Sequence, residues 1–321
     1  MKIITKALSI RMATVLPSII YDTQMAYVPG RDISFNNRIL SYITENMSHM
    51  ENKIVSFDAE KAFDSVSHEY LRNTLMMYGF PESFITFFNL IYTNNTAVVQ
   101  VNGHLSSAFD IKRGVKQGDA LSCSLFILAM DPLIRNIEAN RNIIPLTLGN
   151  GINQISVKTL AYADDIAVVT NDVKSIKETF KEYERLYWAS GLKLNADKTE
   201  ILDLAVNRDP DEVIRISYLN EDVCLNYSNC IKICGNHLLT DKSERYKLNV
   251  TARIDALSRI LASWSRRNLT LNGKMMIIKC HALSQLTFVN QFHTILNIDV
   301  KKIELICYKF LWKGGPEHVK R

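Results

Sequence analysis

Two adjacent carboxylates, Asp164 and Asp165, lie between the largely apolar residues 157–162 and the apolar residues 166–169. This spacing predicts a two-stranded hairpin with both carboxylates at its tip. Acidic side chains are costly to crowd together unless a cation lies between them, so the pair predicts a metal site. Far upstream, Asp58 ends another apolar strand. Two strand ends can therefore bring three carboxylates together.

Carboxylate oxygens are the ligands that hard divalent ions prefer. Asp58, Asp164 and Asp165 could hold two such ions roughly 3.5–4 Å apart, the separation used for in-line displacement at phosphorus. This arrangement serves nucleotidyl transfer, in which an attacking hydroxyl is activated and a departing diphosphate is neutralised. The alternative is structural, because Asp favours turns and solvent and paired Asp residues are common in turns.

Two further segments favour the catalytic interpretation. Residues 57–64 contain Asp58, and residues 113–122 contain a Gln-Gly pair. Together with the Tyr-Ala-Asp-Asp sequence at residues 162–165, they resemble, in type and in order, the motifs of reverse transcriptases of non-LTR (LINE-type) retrotransposons. Weaker similarities cover most of the chain: residues 24–31 to the fingers motif, 191–195 with 198–200 to the motif after the hairpin, 231–235 to the primer grip, and 269–274 with 310–314 to the thumb.

The resemblance assigns roles to the three aspartates. Asp58 and Asp164 would bridge two Mg²⁺ ions, Asp165 would be engaged more weakly, and Mn²⁺ could substitute for Mg²⁺. The substrates implied are an RNA template, a DNA primer or target, and deoxynucleoside triphosphates. The activity implied is that of an RNA-directed DNA polymerase, a nucleotidyltransferase.

The resemblance also implies a set of nucleotide contacts. Phe63 would lie beneath the sugar of the incoming nucleotide and exclude a 2′-hydroxyl; the alternative is an ordinary core phenylalanine. Gln117 and Gly118 would lie beside the nucleotide or template, because a glycine lets a ligand approach the backbone. Arg31 and Lys198 are similar to residues that contact triphosphate or assist proton transfer to the leaving diphosphate, with an exposed surface charge as the alternative.

The bulk composition is that of a globular protein, since 321 residues with 47% hydrophobic residues can bury a large core. No apolar run approaches the roughly 18 residues needed to cross a bilayer, and the N-terminal residues do not form a signal peptide. Six cysteines without paired spacing predict neither a zinc site nor a disulfide framework. The sequence therefore predicts an intracellular protein without membrane contact, and the resemblance implies the cytoplasm and nucleus.

Positive charge is concentrated at the C-terminal end of the chain. Residues 241–321 contain 15 Lys and Arg against 6 Asp and Glu, whereas residues 1–240 contain 23 against 27. A basic helical segment suits a phosphate backbone, although a solvated basic face would have the same composition. The candidate contacts to a duplex are Trp264, Arg266, Arg267 and Lys274.

The order of elements predicts an α+β fold, with a small antiparallel sheet backed by helices. Helical periodicity predicts helices at residues 66–78, 81–92, 119–137 and 172–190, and later at 242–267, 271–289 and 300–312. Asn102-Gly103 predicts a hairpin turn. The resemblance adds a right-hand polymerase architecture, with partial fingers at residues 1–50, a palm with part of the fingers and the primer-grip region at 51–240, and a helical thumb at 241–321.

Two other functions stay open on the sequence. The segment that precedes the fingers in the family is missing, which predicts an N-terminally truncated fragment. Such a fragment could be a catalytically impaired remnant that binds nucleic acid without polymerising. The palm motifs are also shared with group II intron-type reverse transcriptases that act as maturases, although residues 269–274 and 310–314 favour the LINE-type thumb.

Overall fold

The computed structural model describes residues 2–47, 51–149, 154–205 and 213–313. The chain divides into two compact units, the first made of residues 1–36 and 49–228 and the second of residues 37–48 and 229–321. Each unit has a hydrophobic core of its own. The assignment of fingers, palm and thumb to residue ranges stays a prediction.

Helices make up most of the regular structure in both units. In chain order they are α1 Lys2–Ile19, α2 Ile33–Asn46, α3 Ala62–Ser65, α4 His68–Met77, α5 Glu82–Tyr92, α6 Ser122–Ala139, α7 Val173–Ser190, α8 Lys242–Tyr246, α9 Ala252–Trp264, α10 Leu271–Ile277, α11 Ser284–Thr287 and α12 Asn297–Trp312. In the described part of the chain, no helix is long and apolar enough to span a membrane.

The strands are short and antiparallel. In chain order they are β1 Lys53–Phe57, β2 Thr96–Ala97, β3 Gln100–Val101, β4 His104–Leu105, β5 Phe109–Asp110, β6 Leu146–Leu148, β7 Ile155–Val157, β8 Thr159–Tyr162, β9 Asp165–Thr170, β10 Glu200–Asp203, β11 Val213–Tyr218, β12 Glu221–Asn226, β13 Ile231–Ile233 and β14 Asn236–Leu238. The mixture of helices with antiparallel strands confirms the predicted α+β class.

A four-stranded sheet forms the centre of the first unit, in the order β10–β1–β9–β8. Its central strand β1 is covered on both faces, because Ile54, Val55 and Phe57 are all at most 1% exposed. The ring of Phe57 contacts Phe180 and Tyr183 of α7, with centroid distances of 5.6 and 5.2 Å. This arrangement confirms the predicted antiparallel sheet backed by helices.

One turn and both ends of one helix follow the sequence signals. Asn102 and Gly103 both have positive φ, 50° and 84°, as a two-residue type I′ turn between β3 and β4 requires. The side chain of Asp172 accepts a hydrogen bond from the Ser175 backbone at the start of α7, and Gly191 ends that helix in the left-handed region. Local chemistry therefore fixes these boundaries.

The second unit combines the β13–β14 hairpin with helices α8–α12. Helices were predicted over residues 242–267 and 271–289, and both stretches are helical but contain π-helical segments, at Lys247–Thr251 and Ile278–Ala282. The buried Asn249 lies in the first of these segments and exchanges two hydrogen bonds with the backbone of His237, at 2.9 and 2.8 Å. This side chain therefore ties the irregular part of the helix to β14.

Candidate active site

The three predicted aspartates lie at the same end of the central sheet. Strand β1 pairs with β9 in a register that places Phe57 opposite Ile166, so Asp58 and Asp165 are the next residues on the two strands. Tyr162 pairs with Asp165, which leaves Ala163 and Asp164 as the two-residue turn of the hairpin. The structure thus brings Asp58, Asp164 and Asp165 together, as the sequence predicted.

The carboxylates at this end of the sheet repel one another. Burial, followed by the charges of Asp164 and Asp58, raises the pKa of Asp165 to about 6. Burial is also the main cause that raises the pKa of Asp164, with a further contribution from Asp58. Burial and neighbouring negative charge both disfavour an ionised carboxyl group, and a bound cation offsets both, so the donor set suits a hard divalent ion.

Lys198 supplies a cation to this cluster. It lies just before β10, the strand on the other side of β1, and its Nζ is 3.1 Å from Oδ2 of Asp58. The positive charge of Lys198 lowers the pKa of both Asp164 and Asp165. Among the described residues, no three acidic, His or Cys side chains are already arranged around a single metal position. The residue types fit a metal, and Asp58 is engaged with Lys198.

Three of the predicted nucleotide contacts, Phe63, Gln117 and Gly118, lie on a loop and a short helix that are joined by backbone hydrogen bonds. The Gly114 and Val115 N–H groups donate to the carbonyls of Val66 and Phe63, each at 2.8 Å. Phe63, on α3, stacks on Phe126 of α6 with a centroid distance of 4.0 Å and an interplanar angle of 17°. The residue is half-buried, and its predicted place beneath the sugar stays a prediction.

Gln117 and Gly118 lie on the exposed part of the same loop. Gln117 Nε2 donates to Oδ1 of Asp64 at 3.2 Å, which links the loop to α3. Gly118 has a φ of 78°, and the space where a Cβ would lie contains no atom within 4 Å. The backbone here is open to an approaching ligand, and the predicted contacts of Gln117 and Gly118 stay predictions.

Gly114 is the residue that lets this loop approach α3. Its φ is 84°, and an added Cβ would lie 2.9 Å from both Cα and the carbonyl oxygen of Asp64. We expect Gly114→Ala to lower the free energy of unfolding by about 1–3 kcal/mol, because backbone must move to remove the clash. Gly118→Ala, which has a similar φ and open space, should cost less than half as much. Equal losses in chemical denaturation would show that close approach is not the cause.

Arg31 is bonded within its own segment of the chain, and its predicted contact with triphosphate stays a prediction. Its guanidinium donates to four backbone carbonyls at 2.5–3.2 Å and to the carboxylate of Asp22 at 3.3 Å; the carbonyls belong to Pro17, Ile20, Tyr21 and Gln24. Its side chain is 13% exposed. This set of bonds organises the loop after α1 and favours a structural role for Arg31 over the predicted contact with triphosphate.

Gln24 is a residue of this site that the sequence did not single out. Its buried side-chain amide contacts the backbone of Ala163, next to Asp164. The only signal was its place in the fingers-like segment at residues 24–31. Ala163 has a φ of 56°, and an alanine in the sequence does not predict this left-handed backbone conformation.

Comparison with known proteins places the chain in a family. The profile described as "Reverse transcriptase (RNA-dependent DNA polymerase)" matches residues 1–235, a range that includes all three aspartates and Lys198. The chain therefore belongs to the reverse transcriptase family. Members of this family generally use divalent metal ions.

The similar curated proteins come from retrotransposons. The chain is 28% identical over 324 residues to the "Transposon TX1 uncharacterized 149 kDa protein" of Xenopus laevis, covering 98% of this chain and 24% of that protein. It is 32% identical over 178 residues to the Pol polyprotein of the retrotransposable element R2DM of Drosophila melanogaster, covering 54% and 16%. The chain thus spans a quarter or less of these relatives. They confirm the predicted resemblance to non-LTR retrotransposons.

Among solved structures, this chain is similar to a telomerase from Candida tropicalis in complex with a telomeric RNA fragment. The alignment covers 95% of this chain and 46% of the telomerase chain, at 12% identity and a TM-score of 0.49. The alignment with a telomerase from Candida albicans covers 97% of this chain and 50% of the telomerase chain, at 13% identity and a TM-score of 0.45.

Proposed function

We propose that this chain is an RNA-directed DNA polymerase that extends a primer 3′ end on an RNA template, as part of a LINE-type element. The observation that carries the proposal is the convergence of Asp58, Asp164 and Asp165 at one end of the central sheet, with Lys198 beside them. Membership of the reverse transcriptase family gives this cluster its chemical meaning.

Asp58 and Asp164 are the proposed bridging ligands of two Mg²⁺ ions, and Asp165 is proposed as a third ligand that is engaged more weakly. Mn²⁺ prefers the same oxygen donors and would serve as well. Bound here, the ions would activate the primer 3′ hydroxyl and neutralise the leaving diphosphate. Because Asp58 is paired with Lys198, metal binding would release the Lys198 ammonium to face the diphosphate instead.

The proposed substrates are deoxynucleoside triphosphates, a DNA primer or target, and an RNA template. Half-buried Phe63, with its ring stacked on Phe126, supports a steric role beneath the sugar.

In the second unit, the guanidinium of Arg267 lies 4.3 Å from the ring centroid of Trp264, a pair suited to a nucleic-acid backbone. Lys274 is 8% exposed and donates to the Leu311 carbonyl, which favours a structural role there.

Primer extension tests the proposal directly. The chain is incubated with poly(rA)/oligo(dT) and thymidine triphosphate, with Mg²⁺, with Mn²⁺ and with a chelator. We expect extension that requires a divalent ion and an annealed primer. Retained template binding with no extension under any of these conditions would favour the alternative function, a nucleic-acid-binding remnant.

A group II intron-type maturase is the other alternative from the sequence. The chain is similar to proteins of the TX1 and R2 retrotransposons, which supports the LINE-type element instead. The proposed location, in the cytoplasm and nucleus, rests on the family resemblance alone.

Phe63 provides a test of sugar selection. We expect Phe63→Ala to raise the use of ribonucleotides relative to deoxyribonucleotides by about 10-fold or more, because the space beneath the sugar would then admit a 2′-hydroxyl. The measurement is kcat/KM for thymidine and ribothymidine triphosphates on the same template and primer. Phe126→Leu, which alters the supporting ring but leaves Phe63 in place, is the control. An unchanged ratio for Phe63→Ala would remove the steric role.

A further inference from the structure

The turn that carries Asp164 has an unfavourable backbone conformation. Ala163 has a φ of 56°, in the left-handed region that a residue with a Cβ rarely adopts. Neither residue of the turn is glycine, the residue that adopts this region most easily. Ala163 is also buried, so its backbone cannot rely on bulk water for hydrogen bonds. The turn therefore needs an internal partner that holds this conformation.

Gln24 is that partner. Its Oε1 accepts a hydrogen bond from the Ala163 N–H at 2.8 Å, and its Nε2 donates to the Ala163 carbonyl at 3.1 Å. The same Oε1 accepts from the Ala26 N–H at 3.0 Å. The amide thus fixes both peptide groups that flank Ala163, and the second of these is joined directly to the Cα of Asp164.

The backbone of Gln24 is itself held against the hairpin. The Met25 N–H donates to the Ala161 carbonyl at 2.9 Å, and the Ala161 N–H donates to the Thr23 carbonyl at 3.1 Å. The Arg31 guanidinium donates to the Gln24 carbonyl at 2.9 Å. Gln24 is 0% exposed, so its amide does not exchange these partners for water. The position of the amide is therefore set by residues before and after it.

The chemistry of the contact requires an amide. One atom must accept from an N–H and a neighbouring atom must donate to a carbonyl, and the amide of Asn or Gln carries both functions on one planar group at any ordinary pH. A methionine has a similar length and neither function. A glutamate keeps the acceptor for the Ala163 and Ala26 N–H groups and places a second acceptor against the Ala163 carbonyl.

We propose that Gln24 is a positioning residue for the proposed polymerisation, on which this inference rests. By holding the Ala163 turn, it sets where the carboxylates of Asp164 and Asp165 lie relative to Asp58. Metal binding therefore depends on Gln24 although its side chain contacts none of the three carboxylates. Arg31 supports the same arrangement one step further away.

The test compares wild type with Gln24→Met. We expect the extension rate at saturating nucleotide to fall by about 10–100-fold, as for other residues that orient metal ligands. The Mg²⁺ concentration for half-maximal rate should rise about 10-fold, while the dissociation constant for template and primer stays unchanged. A second readout is Mn²⁺ binding by electron paramagnetic resonance, on the complex with a dideoxy-terminated primer, where Mn²⁺ affinity should fall in parallel.

Lys158→Met is the matched control for lost buried hydrogen bonds. Lys158 directly precedes β8 at the end away from the turn, is 8% exposed, and donates to the carbonyls of Ile137, Glu138 and Asn140. Its removal should lower the thermal midpoint without changing the Mg²⁺ half-saturation. If Lys158→Met weakens metal binding as much as Gln24→Met does, Gln24 acts through general stability and the inference is overturned.

Ala163→Gly tests the link through the turn. Glycine adopts a positive φ without strain, so Ala163→Gly added to Gln24→Met should recover several-fold of the lost rate and metal affinity. No recovery would overturn the link between Gln24 and the turn. If Gln24→Met does not fold, Gln24→Glu replaces it, and wild-type Mn²⁺ affinity in that variant would overturn the inference. If the wild type extends no primer, the proposed function fails, and the Mn²⁺ comparison alone decides the role of Gln24.

Discussion

Asp164→Asn is expected to lower the rate of primer extension by at least about 10³-fold, equivalent to about 4 kcal/mol of transition-state stabilisation. The substitution removes one charge from the proposed metal ligands and keeps the size of the side chain. The fold should persist, because burial and Asp58 raise the pKa of Asp164 and loss of its charge relieves that repulsion. The measurements are single-turnover extension, the dissociation constant for template and primer, and the thermal midpoint.

Two variants bracket this result. Asp165→Asn should lower the rate less, because Asp165 is proposed to be engaged more weakly with the ions. Asp197→Asn removes an exposed carboxylate one residue before Lys198 and should leave the rate unchanged. A wild-type rate in Asp164→Asn would refute the assignment of the metal ligands, whereas similar losses in Asp164→Asn and Asp197→Asn would indicate a general effect of net charge.

The parts of the site that the sequence predicted are those fixed by local chemistry. Asp58 could be placed because an apolar strand precedes it, and the pair Asp164 and Asp165 could be placed because apolar strands flank it. Strand pairing then brings both strand ends together without further specification. The Gly191 end of α7 likewise follows from a residue type that suits the left-handed region.

The sequence did not reveal partnerships between distant segments. The bonds of Gln24 to Ala163 join residues 139 positions apart, and the bonds of Arg31 depend on how the loop after α1 closes. Arg31 has the residue type of a phosphate contact, so its preference for carbonyls could be seen only in three dimensions. Chemical type indicates what a side chain can bind, whereas the fold decides what it meets.

Strands β11 and β12 were missed for a related reason. Val213–Tyr218 alternates exposed and buried residues as a half-buried strand should, with Ile214, Ile216 and Tyr218 buried. It has neither a catalytic residue nor a strong turn signal such as Asn-Gly to draw attention to it. The Tyr218 hydroxyl accepts a hydrogen bond from the Leu194 N–H at 3.0 Å, which ties this hairpin to the segment that leads to Lys198.

If Asp58 binds the proposed metal, its pairing with Lys198 makes metal binding and release of the lysine parts of one equilibrium. Nζ of Lys198 lies 3.1 Å from Oδ2 of Asp58, and the same carboxylate is a proposed metal ligand. The lysine side chain is 68% exposed and that of Asp58 is 27% exposed, so solvent screens the pair and its contribution is at most about 1 kcal/mol. With the proposed ion bound at Asp58, Lys198 would lose this partner, and its ammonium would be free to donate a proton or hydrogen bond to the leaving diphosphate.

Lys198→Met should accordingly change two quantities in opposite directions. The maximal extension rate should fall by about 10²-fold, as expected when a general acid is lost. The Mg²⁺ concentration for half-maximal rate should fall by up to about fivefold, because Asp58 no longer has a competing partner. Lys193→Met removes an exposed lysine from the same segment and should change neither quantity. A fall in rate accompanied by weaker Mg²⁺ binding would instead mean that Lys198 maintains the structure of the site. Removing a group that only competes with the metal for Asp58 cannot lower the affinity for Mg²⁺.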